Sequence, residues 1–116
     1  MSITIFHNPR CSKSRDTLAL LQEKGVSPTI VAYLEQAPSP AELSTLLTRL
    51  GFSDARQLIR KSEAEYQELG LDNPDLDQEA LIAAMAAHPR LIERPIVVNG
   101  EKAAIGRPPE NVLTVL

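Results

Sequence analysis

Cys11 is the only cysteine in a chain of 116 residues, and the stretch FHNPRCSKSR, residues 6 to 15, sets it among Arg10, Lys13 and Arg15. A lone thiol cannot close an internal disulfide, and a structural zinc site needs four ligands, so neither staple accounts for it. Burial as a small hydrophobe is the commoner fate of such a cysteine, but a strand-end loop with charges on both sides is a poor place to bury anything. The crevice beyond the carboxyl ends of strands is where α/β sheets bind ligands, which favours a reactive thiol.

Reactivity requires the thiolate. A free cysteine with pKa near 8.5 is only about 3% ionised at pH 7, whereas a pKa of roughly 6.5 would make it about three-quarters thiolate. That shift corresponds to about 2.7 kcal/mol, more than the ~0.3–1 kcal/mol a helix N-terminus supplies, so guanidinium groups must contribute. Arg15, four residues on, is the best local candidate if the helix has begun by Cys11. The free N–H groups of a helix start would also suit an oxyanion.

Positioning elements follow from the pattern. SITIF, residues 2 to 6, alternates and reads as a strand; Ser12 to Lys24 reads as a helix closed by Gly25; SPTIVAYL, 27 to 34, reads as a second strand reached by a right-handed crossover. Ser39, Pro40 and Glu42 form a capping box before Leu43, Leu46, Leu47 and Leu50, and Gly51 ends that helix. A short helix is expected over 53–60 and an alanine-rich one over 77–88, capped by Asp77 and closed by Pro89. The acidic run 62–79 reads as a solvated helical face and turn.

RPIVVNGEKAAIG, 94 to 106, predicts a hairpin with a type I′ turn at Asn99-Gly100. Pro108 and Pro109 open a final helix through Val112, Leu113 and Leu116, whose apolar end suggests packed last residues. The order is therefore β-α-β, a helical insertion, then β-β-α, in one α/β domain spanning 1–116.

Composition excludes several classes. A content of 43% apolar residues can build a core, yet no run is long enough for a spanning helix, and no secretion leader is expected, which together with a lone thiol points to the cytoplasm. A net charge of −3 and 3% aromatic residues argue against nucleic acid as a partner, and the short apolar runs against a membrane.

HNPRCSKSR, LIRKSEAEYQELGL and RPIVVNGEKAAIGRP, in that order, resemble the glutaredoxin-coupled arsenate reductase family. The resemblance covers essentially the whole chain and implies a thioredoxin-like (glutaredoxin-like) core with a helical insertion. It implies that Cys11 attacks arsenate and that Arg60, Arg94 and Arg107 bind the oxyanion. Supporting roles for His7, Ser14 and Arg15 around the thiolate follow from it too, as does a cis peptide bond at Pro95. Glutathione would serve as co-substrate and glutaredoxin as partner, with no bound cofactor and no metal.

The residue types agree with that chemistry. Guanidinium forks bind tetrahedral oxyanions in pairs where an ammonium acts as a point charge. Arg94 and Arg107 each border a strand of the expected hairpin, beside Pro95 and Pro108; Arg60 rests on the family pattern. His7 is either an orienting or a structural residue, Ser14 either donates to sulfur or satisfies the first helical turn, and His88 is expected to be exposed and idle. Ser14 stands where a Cys-x-x-Cys oxidoreductase carries its second thiol, so the resolving thiol must be external.

Three rivals stand beside this reading. A phosphatase-type loop needs a longer, glycine-containing spacing than Cys11 to Arg15 provides. A related reductase could act on another oxyanion or a glutathione adduct. Spx-like regulators share the fold and bind RNA polymerase, but many carry Cys-x-x-Cys and lack the arginine set.

Overall fold

The computed structural model describes residues 3–116; Ser2, the first residue of the expected strand, lies outside the described residues. The chain divides into two compact units, one made of residues up to Gln36 together with 94–116, the other of residues 37–93. The second unit is the expected helical insertion.

The first unit contains β1 (Ile3–Phe6), α1 (Ser12–Glu23), β2 (Thr29–Val31), β3 (Ile96–Asn99), β4 (Lys102–Ile105) and a terminal 3-10 helix (Pro109–Val115). Its four-stranded sheet has the order β2-β1-β3-β4, with β1 parallel to β2 and antiparallel to β3. Thus β1, which leads directly to Cys11, is paired on both sides. Ile5, Leu21, Val97, Val112 and Val115 form the core, where α1 and the terminal 3-10 helix pack together. Fully burying one such aliphatic side chain stabilises the fold by about 1.5–3 kcal/mol.

Three expectations change here. The second strand is three residues long, because Pro28 lacks an amide to donate and the chain turns after Val31, where Ala32 O accepts from Glu35 N at 2.9 Å and Gln36 N at 2.8 Å. The hairpin loop is Gly100-Glu101, since Asn99 pairs with Lys102. A type I′ turn needs positive φ at both loop residues, and only Gly100, at 63°, has it. Asn99 is extended because its amide is used elsewhere, donating from Nδ2 to Val115 O at 2.6 Å. The third change is at the C-terminus, where the final helix is 3-10. Its period of three buries Val112 and Val115 and leaves Leu113 and Leu116 exposed, against the expected packing of the last residue.

The inserted unit contains α2 (Pro40–Leu50), α3 (Ala64–Glu68), α4 (Gln78–Ala87) and 3-10 turns at Ala55–Leu58 and Pro89–Leu91. Ser39 and Glu42 complete the capping box of α2, and its buried Leu43, Leu46 and Leu47 accompany packing on α4. Asp77 caps α4 through Ala80 N at 2.8 Å. The helix expected over 53–60 is confined to Ala55–Leu58, because Ile59 is already extended and bridges Ile92. Among the described residues, no helix is long and apolar enough to cross a membrane.

Candidate active site

The site is built on the β1–α1 loop. Asn8 folds this loop: its Oδ1 accepts from Arg10 N at 3.0 Å and its carbonyl from Cys11 N at 3.0 Å. Such an Asx turn ahead of a helix places the next residue as N-cap. Cys11 takes that role, with extended backbone (φ −95°, ψ 123°), and its carbonyl accepts the first helical bond from Arg15 N at 3.0 Å. Its sulfur therefore lies at the open, electropositive end of α1.

Below the loop, His7 and Ser14 are buried and joined, with 2.7 Å between Nδ1 and Oγ. Ser14 Oγ also accepts from Asn8 N at 3.0 Å. A hydroxyl has one proton to give, so donating it to Nδ1 satisfies both groups when the ring is neutral and carries its proton on Nε2. Burial first, and the Arg15 charge second, lower the His7 pKa, which favours that neutral ring. His7 and Ser14 thus brace the loop by direct hydrogen bonds, and the Ser14 hydroxyl is directed to this brace.

Two distant residues complete the surroundings of sulfur. Arg107 Nη2 donates to Cys11 Sγ at 3.5 Å, while its Nε donates to Arg94 O at 2.8 Å. Burial of half-exposed Cys11 pushes its thiol pKa up. The Ser14 amide, the Arg94 side chain, the Arg107 charge and the Lys13 amide act the other way and hold it below the ordinary thiol value. Both amides belong to the first turn of α1, whose N–H groups favour negative charge on the sulfur.

The helpful guanidinium is not the one local spacing favours. Arg15 turns away, and its Nη1 donates to Pro9 O at 3.0 Å. Helical i,i+4 adjacency fails because Cys11, as N-cap, stands outside the helical face. Arg15 fastens the loop from outside instead, and its charge acts on His7.

The hairpin explains how Arg94 and Arg107 meet. Ile96 pairs with Ile105, so the residues flanking the two strands are brought side by side. Gly106 N donates to Pro95 O at 2.9 Å, extending the ladder. Gly106 has no room for a side chain, because an added Cβ would meet Thr17 and lie 2.8 Å from Pro95 Cγ. The Arg94–Pro95 and Arg107–Pro108 peptide bonds are both cis, the second without any sequence expectation.

Arg60 belongs to the inserted unit. Its Nε donates to Ser62 Oγ at 3.2 Å and lies 3.6 Å from Glu63 Oε1. His88 is half-buried rather than exposed as expected, because it forms the C-cap of α4. Asn8 and Gly106 were missed by sequence reasoning, although the Asn-Pro dipeptide and a glycine closing a strand were their available signals. Among the described residues, no group of three or more histidine, cysteine, aspartate or glutamate side chains could hold a metal ion.

A cysteine at a helix start, met by an arginine from the end of the hairpin in a β-α-β/β-β-α sheet, defines a thioredoxin-like α/β protein with an ionisable thiol. The chain belongs to the ArsC family, which matches residues 6–115. It is 53% identical over 116 residues to a protein named arsenate reductase from Haemophilus influenzae, covering all of both chains. A Neisseria meningitidis protein of the same name is 53% identical over 114 residues, covering 98% of this chain and 97% of the other. The solved structure of an arsenate reductase from Vibrio cholerae superposes with a TM-score of 0.98 at 52% identity, covering 100% of this chain and 98% of that one.

Proposed function

We propose that the protein is an arsenate reductase in which Cys11 is the nucleophile and external thiols are the reductants. The observation that carries this reading is Arg107 Nη2 at 3.5 Å from Cys11 Sγ, beside Arg94, at a helix start with amides aimed at the same place. Relatives named arsenate reductase at about half identity over the full length support the substrate.

In the first step the Cys11 thiolate attacks arsenic, a sulfur–arsenic bond forms, and one arsenate oxygen leaves as water after protonation. Arg94 and Arg107 bind the remaining oxygens and offset their charge. Glutathione then displaces a second oxygen as water and forms its own sulfur–arsenic bond. A glutaredoxin thiolate attacks the glutathione sulfur; a disulfide forms, the sulfur–arsenic bond breaks, and its electron pair stays on arsenic, reducing As(V) to As(III). Water releases arsenite and restores Cys11. External thiols are required because Cys11 is the only cysteine. A glutathione-rich cytoplasm suits this scheme.

The test couples purified protein to NADPH oxidation through glutathione reductase, glutathione and glutaredoxin. Arsenate-dependent oxidation that Cys11→Ser abolishes is the expected result. Turnover without any dependence on arsenate would overturn the substrate and leave a thiol reductase of another adduct.

A further inference from the structure

The loop that presents the sulfur also forms one wall of a cleft of about 270 Å³. His7, Asn8, Pro9 and Arg10 line that wall, and Ala32, Leu34 and Glu35, from the turn after β2, line the other. All of these residues belong to the sulfur-bearing unit. The loop wall ends at Arg10, one residue before Cys11.

Its chemistry is mixed in a particular way. Pro9, Ala32 and the exposed Leu34 offer apolar surface, while Arg10 and Glu35, both exposed, put one positive and one negative group on opposite walls. A simple anion would be repelled by Glu35 and a simple cation by Arg10. A zwitterion with a short carbon chain satisfies both walls. The volume lies just below the ~300–1,000 Å³ of typical ligand pockets, so it fits part of a small peptide and is too small for a dinucleotide.

The reaction needs such a molecule here. With no second cysteine in the chain, a small thiol has to reach arsenic held on Cys11. The arginine pair already occupies the hairpin side of the sulfur, through Arg107 Nη2. We propose that the cleft seats the thiol co-substrate, a zwitterionic thiol peptide of the glutathione kind. Its ammonium lies toward Glu35, a carboxylate toward Arg10 and its carbon chain along Ala32 and Leu34. This seat rests on the reductase reading above and adds where the co-substrate sits.

The test uses S-methylglutathione, which binds without reacting, in an NMR titration of the full chain. Amide shifts confined to residues 7–10 and 32–35 are expected; shifts centred on 94–107 instead would overturn the seat. In the coupled assay, Glu35→Lys and Leu34→Asp are expected to raise the KM for glutathione about two- to fivefold each, the range of an exposed charge contact, with the KM for arsenate unchanged. An unchanged KM for glutathione in both variants, each shown folded by its spectrum, would overturn the proposal even while arsenate turnover persists. Conversely, shifts at the cleft in a protein that never turns over arsenate would sink the reductase reading and leave the seat standing.

Discussion

Arg107 and Arg60 are both guanidinium groups that the family resemblance implies for substrate, yet each unit holds its own differently. Arg107 is oriented by a neutral carbonyl, Arg94 O, and points its other end at sulfur. Arg60 lies beside the Glu63 carboxylate, which Arg90 also approaches at 3.7 Å. The Arg107 charge favours the thiolate, while the carboxylate beside Arg60 offsets part of that group's positive field. The sulfur-bearing unit thus turns a guanidinium on the thiol, and the insert sets one beside a carboxylate.

The strongest way to break that contrast is Arg107→Ala. Removing a cation that favours the thiolate raises the Cys11 pKa, so the pH profile of Cys11 alkylation by iodoacetamide is expected to move to higher pH. Arsenate turnover should fall about 100-fold, the size of losing one oxyanion donor. An alkylation profile that stays in place would mean Arg107 does not tune the thiol. Next in size is Gly106→Ala, which forces a methyl against Thr17 and Pro95 and is expected to lower stability by about 1–3 kcal/mol, measured by urea unfolding. In the insert, Ser39→Ala removes the bond from Glu42 N to Ser39 Oγ and should cost about 1 kcal/mol while leaving the alkylation profile untouched. The smallest effect sharpens the comparison most: Arg60→Ala is expected to leave that profile unmoved, because the thiol shift arises from Ser14, Arg94, Arg107 and Lys13. A shift equal to that of Arg107→Ala would erase the distinction between the two arginines.

The same division governs what the sequence revealed. In the insert, the α2 box, Gly51 as C-cap and the Asp77 cap are short-range devices, legible because donor and acceptor lie within a few residues. In the other unit, β1, α1 and the hairpin were legible for the same reason. The thiol's strongest side-chain partners were not, since Arg107 is 96 residues from Cys11 and nothing local reports that meeting. Local reasoning chose Arg15 and failed because one residue of phase, N-cap against first helical turn, decides which way a side chain faces. The family resemblance named Arg94 and Arg107 as oxyanion ligands; that Arg107 also reaches the sulfur comes from the structure. The hairpin turn slipped by one residue because Asn99 is bound to Val115, a tertiary contact that overrides turn preference. The C-terminal phase was misjudged by applying a 3.6-residue period to a segment with a period of three.

The hairpin has one more consequence. Since antiparallel pairing sets its first residue against its last, everything between Pro95 and Gly106 works like the closed end of a pair of tweezers whose tips are Arg94 and Arg107. Lengthening the closed end at Gly100-Glu101 leaves the tips aligned. One extra residue inside β3 must be taken up by a bulge, or it turns a tip onto the opposite face of the sheet. Variation in loop length is therefore tolerable at the bend and costly along the arms.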